Sequence, residues 1–351
     1  MNINMSNITP LSSSFFMPAE WENHKATWLA WPYDTTTFPN RIEAVEKVFV
    51  KIIESLNQNE VVELLVLNEG MKEHAALLLK DFNVKLDNVN FHLVNYADVW
   101  MRDYGPVFVK GKKDNKIAWV KWIYNAYGEK FTDLLKDNEV PFQLANYINL
   151  PFLDAGIVME GGAVDVNGSG SLITTEECLL SPNRNCKLSK KQIEDILKSF
   201  LGVQNIIWLK HGVVGDHTDG HVDEVARFIS KDAVLIAAVD DKNDSNFDIL
   251  NENFNILKNS KLENGKSLNV IKLPLPHMNY DNGESAPVSY TNFYVANQVV
   301  LVPQFNHAND KKALDILQRA FPNRKTIGID CSNLIYGGGT IHCVTQQQPL
   351  A

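Results

Sequence analysis

Scarcity narrows the class of this 351-residue chain first. It has four cysteines, Cys178, Cys186, Cys331 and Cys343, with no CxxC pair among them. That excludes a disulfide-stapled scaffold and a zinc site of spaced cysteine pairs, and the residues read as reduced thiols of a cytoplasmic protein. Basic charge is also short: 33 Lys and Arg stand against 42 Asp and Glu, a formal net charge of −9. Phosphate binding wants a basic surface, so nucleic acid is not an expected partner. The same balance is mildly favourable to a cationic substrate. No long apolar run exists. The longest, "AVLIAAV" from Ala233, is strand-length, so no membrane span is expected. The opening "MNINMSNITPLSSSFF" lacks a basic region followed by an apolar run, so it is not a signal peptide. Residues 1–16 read as a poorly ordered extension.

What is present repeats. From Ala163, "AVDV", the turn "NGSG" and "SLITT" read as a hairpin of alternating apolar residues. "SKKQIEDILKSFL" follows as a helix, with Ser189 as N-cap and Ile193, Ile196, Leu197 and Phe200 on one face. The strand "NIIWL" closes the unit. The order returns with "EVARFI", "VLIAAV", a helix over 248–258 and "NVIKLP". It returns again with "NFYV", "VVLVP", "DKKALDILQRAF" and "KTIGI". Earlier, "ATWLAWP" leads to a helix near 41–56 and to "VVELLVL". "GPVFVKGKKDNKIAWVKW" is a hairpin with no clear helix after it. "GTIHCVT" is a lone last strand, as if completing the first unit from the other end of the chain. About five hairpin–helix–strand modules of roughly 60–70 residues suggest radial or solenoid repetition within one α/β domain spanning 1–351.

The reactive side chains fall just before the hairpins. "VWMRDYGPVF" carries Asp103, "IVMEGGAVDV" Glu160, "GDHTDGHVDEVARF" His221 and Asp223, and "GGGTIHCVT" His342 and Cys343. Taken singly, each has a bland explanation. A cysteine is more often a small buried hydrophobe, and an acid beside Gly or Pro often only shapes a turn. If the modules surround an axis, however, equivalent ends converge on it and assemble a thiol, an imidazole and three carboxylates. "DHTDGHVD" also offers Asp216, His217, Asp219, His221 and Asp223 as metal ligands. They are packed into one Gly-broken loop rather than fixed on a rigid frame, so no required metal is expected.

The segments "MPAEWENHKATWLAWP", "WMRDYGP", "EGGAVDVNGSGSLITTEECLLSPNRN", "GHVDEVARF" and "GGGTIHCVTQQQP" together resemble the agmatine deiminases, grouped with the bacterial-type peptidyl-arginine deiminases. The resemblance runs from Met17 to Pro349. It implies the pentein fold, a five-bladed α/β propeller of ββαβ units around a central site. It implies hydrolysis of agmatine to N-carbamoylputrescine and ammonia, in putrescine synthesis, without a cofactor. Carried over motif by motif, it makes Cys343 the nucleophile, His221 the catalytic histidine, Glu160 the acid pairing with that histidine, and Asp103 and Asp223 the guanidinium-binding acids. The chain departs from the family at His217 and Asp219, where an acid and Asn are common. A homo-oligomer is compatible with these features.

The chemistry suits those residue types. Two carboxylates grip a planar guanidinium by paired, charge-assisted hydrogen bonds. A thiolate is the nucleophile, favoured by nearby positive charge. An imidazole that gives a proton to leaving ammonia and then takes one from water serves both halves of the reaction through an S-alkylthiouronium. Trp100 offers a face to the substrate, and the glycines around Gly338 allow close backbone approach. Deimination of peptidyl or free arginine is the close alternative. A metallohydrolase built on the 216–223 loop is the remote one.

Overall fold

The computed structural model describes residues 15–351. The apolar runs form the middle strands of five sheets. Val234–Ala237 and Val300–Val302 are buried without alternation, as strands covered on both faces require. In each module a short inner strand pairs antiparallel with the middle strand, and a helical crossover leads to a parallel outer strand. One blade contains Ala226–Phe228, Ala233–Ala238 and Asn269–Pro274. Another contains Tyr294–Val295, Val299–Gln304 and Lys325–Asp330. A third contains Asp165–Val166, Ser171–Thr175 and Asn205–Leu209. The expected hairpin at Val107–Gly111 and Ile117–Ile123 is present, and the helix not foreseen after it is Val140–Ile148. The architecture is the five-bladed α/β propeller of the pentein fold.

Local chemistry sets the crossovers. Helix Lys190–Leu201 opens with a capping box between Ser189 and Gln192 and ends at Gly202 in the left-handed region. It buries Ile193, Leu197 and Leu201, each contributing about 1.5–3 kcal/mol. Among the described residues no helix is long and apolar enough to cross a membrane. The expected extension over 1–16 lies outside the described residues apart from Phe15 and Phe16, which pair with Gly111 and Lys110 as an added edge strand.

The chain ends close the ring. Gln346–Pro349 pairs antiparallel with His24–Ala30, with Gln346 opposite Trp28. The expected last strand "GTIHCVT" is corrected by this: Ile341–Val344 is a single helical turn, and the strand starts only at Gln346. The reason is that the Asn292 side chain takes the amides of His342 and Cys343, so they are lost to a ladder. The glutamines are used in turn. Gln346 Oε1 accepts from Arg102 at 2.8 Å and Gln348 Oε1 from the Trp28 indole at 3.0 Å.

Five single helical turns precede the five inner strands: Met101–Tyr104, Gly161–Ala163, Val222–Glu224, Tyr290–Asn292 and Ile341–Val344. Each touches the next, and the fifth touches the first. This closed ring of turns carries the reactive side chains.

Candidate active site

Cys343 sits in the last turn, 5% exposed. Asn292, from the neighbouring turn, holds it. Asn292 Oδ1 accepts from Thr340 Oγ1 at 2.7 Å, from His342 N at 3.0 Å and, more loosely, from Cys343 N at 3.4 Å. Those donors fix the amide's orientation, so Nδ2 donates to Cys343 Sγ at 3.1 Å. On another side the sulfur lies 4.0 Å from Asp223 Oδ2 and 3.8 Å from Glu224 Oε1. Burial and the carboxylates of Asp223, Glu224 and Asp103 push the thiol well above its ordinary pKa.

Asp223 belongs to a buried chain of charge. Its Oδ2 meets His342 Nδ1 at 2.6 Å, and His342 Nε2 meets Glu20 Oε2 at 2.8 Å. Arg227 reaches the same Glu20 oxygen at 2.9 Å. Burial opposes ionisation of Glu20, but Arg227, His342 and Arg102 outweigh it and hold its carboxyl far below the usual range. His342 Nε2 therefore donates to Glu20. Burial and the cations Arg102 and Arg227 push His342 down, while burial and Asp103 push Asp223 up. Both shifts favour the neutral forms of this pair. Asp223 Oδ1 and Glu224 Oε2 are buried without hydrogen-bond partners.

Asp103 is fixed by Gly162 N, which donates to Oδ1 at 3.0 Å, and by the Tyr127 hydroxyl, which donates to Oδ2 at 2.8 Å. Burial outweighs those bonds and lifts its carboxyl to about 7, helped by Glu160. Gly162 has no room for a side chain: a Cβ would lie 2.6 Å from His221 Nδ1 and 2.9 Å from Asp103 Oδ1. His221 is 1% exposed, and both its ring nitrogens lack hydrogen-bond partners. Its nearest charged contact is Asp103 Oδ1, 3.7 Å from Nδ1. Burial and Arg184 hold His221 well below the ordinary imidazole pKa, so it is neutral.

Among the described residues no hydrogen bond joins Glu160 to His221, the pairing expected from the resemblance. Glu160 faces Arg184 instead, with Nε 2.8 Å from Oε1, close enough for an ion pair although the N–H is not aimed for a hydrogen bond. Burial pushes the Glu160 carboxyl up against the pull of Arg184. Arg184 is anchored in turn by Asp219 Oδ2 at 2.8 Å, and Lys130 binds the other Asp219 oxygen. The Glu160 carboxylate still lies within 4.8 Å of a His221 nitrogen and of Cys178 Sγ.

Two acids of the 216–223 loop, read above as possible but not expected metal ligands, are engaged in hydrogen bonds. Asp216 accepts from Thr218 N and Oγ1 and from His221 N. Asp219 is taken by Lys130, Asn183 and Arg184. Asp216 and Asp219 are thus loop and anchor residues.

A cavity of about 320 Å³ opens over Cys343. Asp98, Trp100, Asp103, Tyr127, His217, Tyr336 and Gly337–Gly339 are among its walls, and neither Lys nor Arg lines it. The glycine triplet lies against the indole of Trp100. A Cβ on Gly337 would meet Trp100 Cζ2 at 2.7 Å, and one on Gly339 would meet Trp100 Cζ3 at 2.9 Å and Cys343 Sγ at 3.0 Å. Gly338 has φ +98°. Backbone and indole thus pack closely beside the sulfur in the cavity wall.

The ring brings together Cys343, Asp103, His221, Asp223 and Glu160, which lie up to 240 residues apart in sequence. Of these, Cys343 and Asp103 line the cavity with Trp100 and Gly338. His221, Asp223 and Glu160 stand fully buried behind them. Sequence reasoning missed Asn292, Glu20, Glu224, Tyr127 and Arg184. Glu20 and Arg184 lie inside the motifs "MPAEWE" and "SPNRN"; Asn292 stands before a hairpin, like Asp103 and Asp223, and that position was its available signal.

A model of the Porphyromonas-type peptidyl-arginine deiminase family matches residues 16–349. A Legionella pneumophila protein provisionally named agmatine deiminase is 39% identical over 345 residues, covering 98% of this chain and 97% of that one. The solved agmatine deiminase of Enterococcus faecalis superimposes with a TM-score of 0.90 at 28% identity, covering 99% of each chain. A substrate-bound Cys-to-Ser variant of C. jejuni agmatine deiminase gives 0.85 at 27% identity, covering 99% of this chain and 98% of that one. The chain therefore belongs to the Porphyromonas-type peptidyl-arginine deiminase family and is a hydrolase acting on the C–N bond of a linear amidine.

Proposed function

We propose that the chain hydrolyses agmatine to N-carbamoylputrescine and ammonia, with Cys343 as nucleophile, as a step of putrescine synthesis in the cytoplasm. One observation carries the reading. A thiol stands among Asp103, Asp223 and Glu224, all pushed toward their protonated forms, in a cavity with no cationic wall. The component this electrostatic arrangement lacks is a cation. A guanidinium held by Asp103 and Asp223 supplies it, and the agmatine deiminases among the relatives point to the same substrate. The four free thiols suit the cytoplasm.

The steps use this chain's residues. Binding of the cation ionises Asp103, whose proton passes to solvent, and Asp223, whose proton passes to His342. The Cys343 proton moves to neutral His221, and Asn292 Nδ2 donates to the thiolate. Sulfur bonds to the guanidinium carbon, giving a neutral tetrahedral adduct. His221 returns its proton to an NH₂ group, the C–N bond breaks, and ammonia leaves an S-alkylthiouronium. Water then attacks with His221 as base. The C–S bond breaks, His221 returns its proton to the sulfur, the adduct's hydroxyl proton passes to solvent, and the carbamoyl product departs. Glu160 acts through charge, stabilising the imidazolium from within 4.8 Å.

Ammonia release from agmatine, free arginine and a blocked arginine peptide, with wild type and Cys343→Ser, tests the proposal. Agmatine is expected to have the highest kcat/KM, and Cys343→Ser is expected to be inactive. Robust turnover by Cys343→Ser, or a higher kcat/KM for either arginine substrate, would overturn it.

A further inference from the structure

Asp98 has no task in the reaction above, yet it lines the same cavity and is 2% exposed. Its Oδ1 accepts from Val99 N at 2.8 Å. Its Oδ2 accepts from the Thr37 hydroxyl at 2.7 Å and the Trp100 indole N–H at 3.0 Å. All three donors are neutral. No ion pair to Asp98 forms among the described residues, and its charged neighbours Asp34 and Asp137 are themselves acids. Burial pushes its carboxyl up to about 6. A buried carboxylate on a cavity wall, without a counter-charge, is costly unless something that enters the cavity pays that cost.

Its place relative to Cys343 can be followed along one indole. The Trp100 Cζ3 edge adjoins Gly339, which adjoins the sulfur; the Cζ2 edge adjoins Gly337; the Nε1 edge holds Asp98. Asp98 is thus set off from the reacting sulfur by the width of the ring. A guanidinium carbon at the sulfur, followed by an extended four-methylene chain, carries a terminal amine roughly 7 Å along the cavity, six bonds of about 1.5 Å in zigzag. Ammonium over the Nε1 edge meets both the carboxylate and the ring face.

We propose that Asp98, held by Thr37 and Trp100, is an ammonium subsite that makes this cavity select a dicationic guanidine over one with a neutral or anionic tail. This rests on the guanidine-hydrolase reading above and names the feature that recognises the far end of its substrate. Free arginine keeps an ammonium at the same distance but adds an α-carboxylate beside it, which Asp98 and its acidic neighbours repel.

The test compares kcat/KM for agmatine with that for n-pentylguanidine, which replaces the ammonium by a methyl group, and for free arginine. In the wild type agmatine is expected to exceed n-pentylguanidine by about tenfold or more, the effect of one charge-assisted hydrogen bond. Arginine, with a carboxylate beside its ammonium, is expected to be poorer than agmatine. Asp98→Asn is expected to collapse the agmatine-to-pentylguanidine ratio to near one. A ratio unchanged in Asp98→Asn would overturn the subsite and leave Asp98 a brace for Trp100. A wild-type ratio near one would overturn it without any variant, so a poorly folded Asp98→Asn does not shield the proposal. Failure of the wild type to release ammonia from any of these guanidines would instead overturn the underlying function.

Discussion

Replacing Asn292 by alanine separates two jobs of one side chain. Its Oδ1 takes the Thr340 hydroxyl and the His342 amide, both buried, and its Nδ2 donates to the Cys343 sulfur at 3.1 Å. Orphaning two buried donors costs about 1–3 kcal/mol each, so Asn292→Ala should be less stable by roughly 2–6 kcal/mol. Loss of the donor to sulfur acts on the ionised thiol, where a hydrogen bond is worth about 1.5–3 kcal/mol. At 1.36 kcal/mol per unit this raises the thiol pKa by about one to two units, with a loss of roughly 10- to 150-fold in kcat/KM. Denaturant unfolding reads the first effect. The second is read from the rate of Cys343 alkylation by iodoacetamide against pH, in a Cys186→Ala background that removes the exposed thiol. A stability loss with an unshifted alkylation profile and wild-type kcat/KM would refute the role assigned to Asn292 at the sulfur.

Two further outcomes follow from the same geometry. Gly162→Ala puts a Cβ against His221 Nδ1 and Asp103 Oδ1; kcat/KM should fall by about a hundredfold or more through misplacement, and near-normal activity would contradict the packing described. Burial lifts Asp103 to about 7. Being an acid whose folded pKa lies above its unfolded value, it makes the ligand-free protein lose stability as pH rises from about 4 to 7. A bound cation favours the ionised form, so agmatine should raise the Tm of the inactive Cys343→Ser protein more at pH 8 than at pH 6. An equal rise at both would count against Asp103 as a guanidinium partner.

The modular fold was legible because its signals are local. The capping box at Ser189 and Gln192, the alternating hairpins and the unbroken apolar middle strands are each written within a dozen residues. The last strand was misplaced because a side chain about fifty residues away, Asn292, claims the amides of His342 and Cys343. Convergence of Cys343, Asp103, His221 and Asp223 could be anticipated from their equivalent places before the hairpins. The partner of Glu160 could not: Arg184 reaches it from the turn after the hairpin, and its hold depends on Asp219 from a third segment. Glu20, which anchors His342 and Arg227, lies at the opposite end of the chain from the nucleophile and enters the site only because the ring closes. Such pairings are set by packing and leave no spacing rule in sequence.

The central claim is that carbon is transferred to Cys343 sulfur before water enters. Rapid acid quench of the enzyme turning over agmatine, followed by peptide mass spectrometry, tests it most directly. The account predicts that the peptide holding Cys343 becomes heavier by agmatine less ammonia, and that this species vanishes when substrate is exhausted. Full turnover with Cys343 unmodified at every quench time, under conditions that preserve a synthetic thiouronium standard, would contradict it.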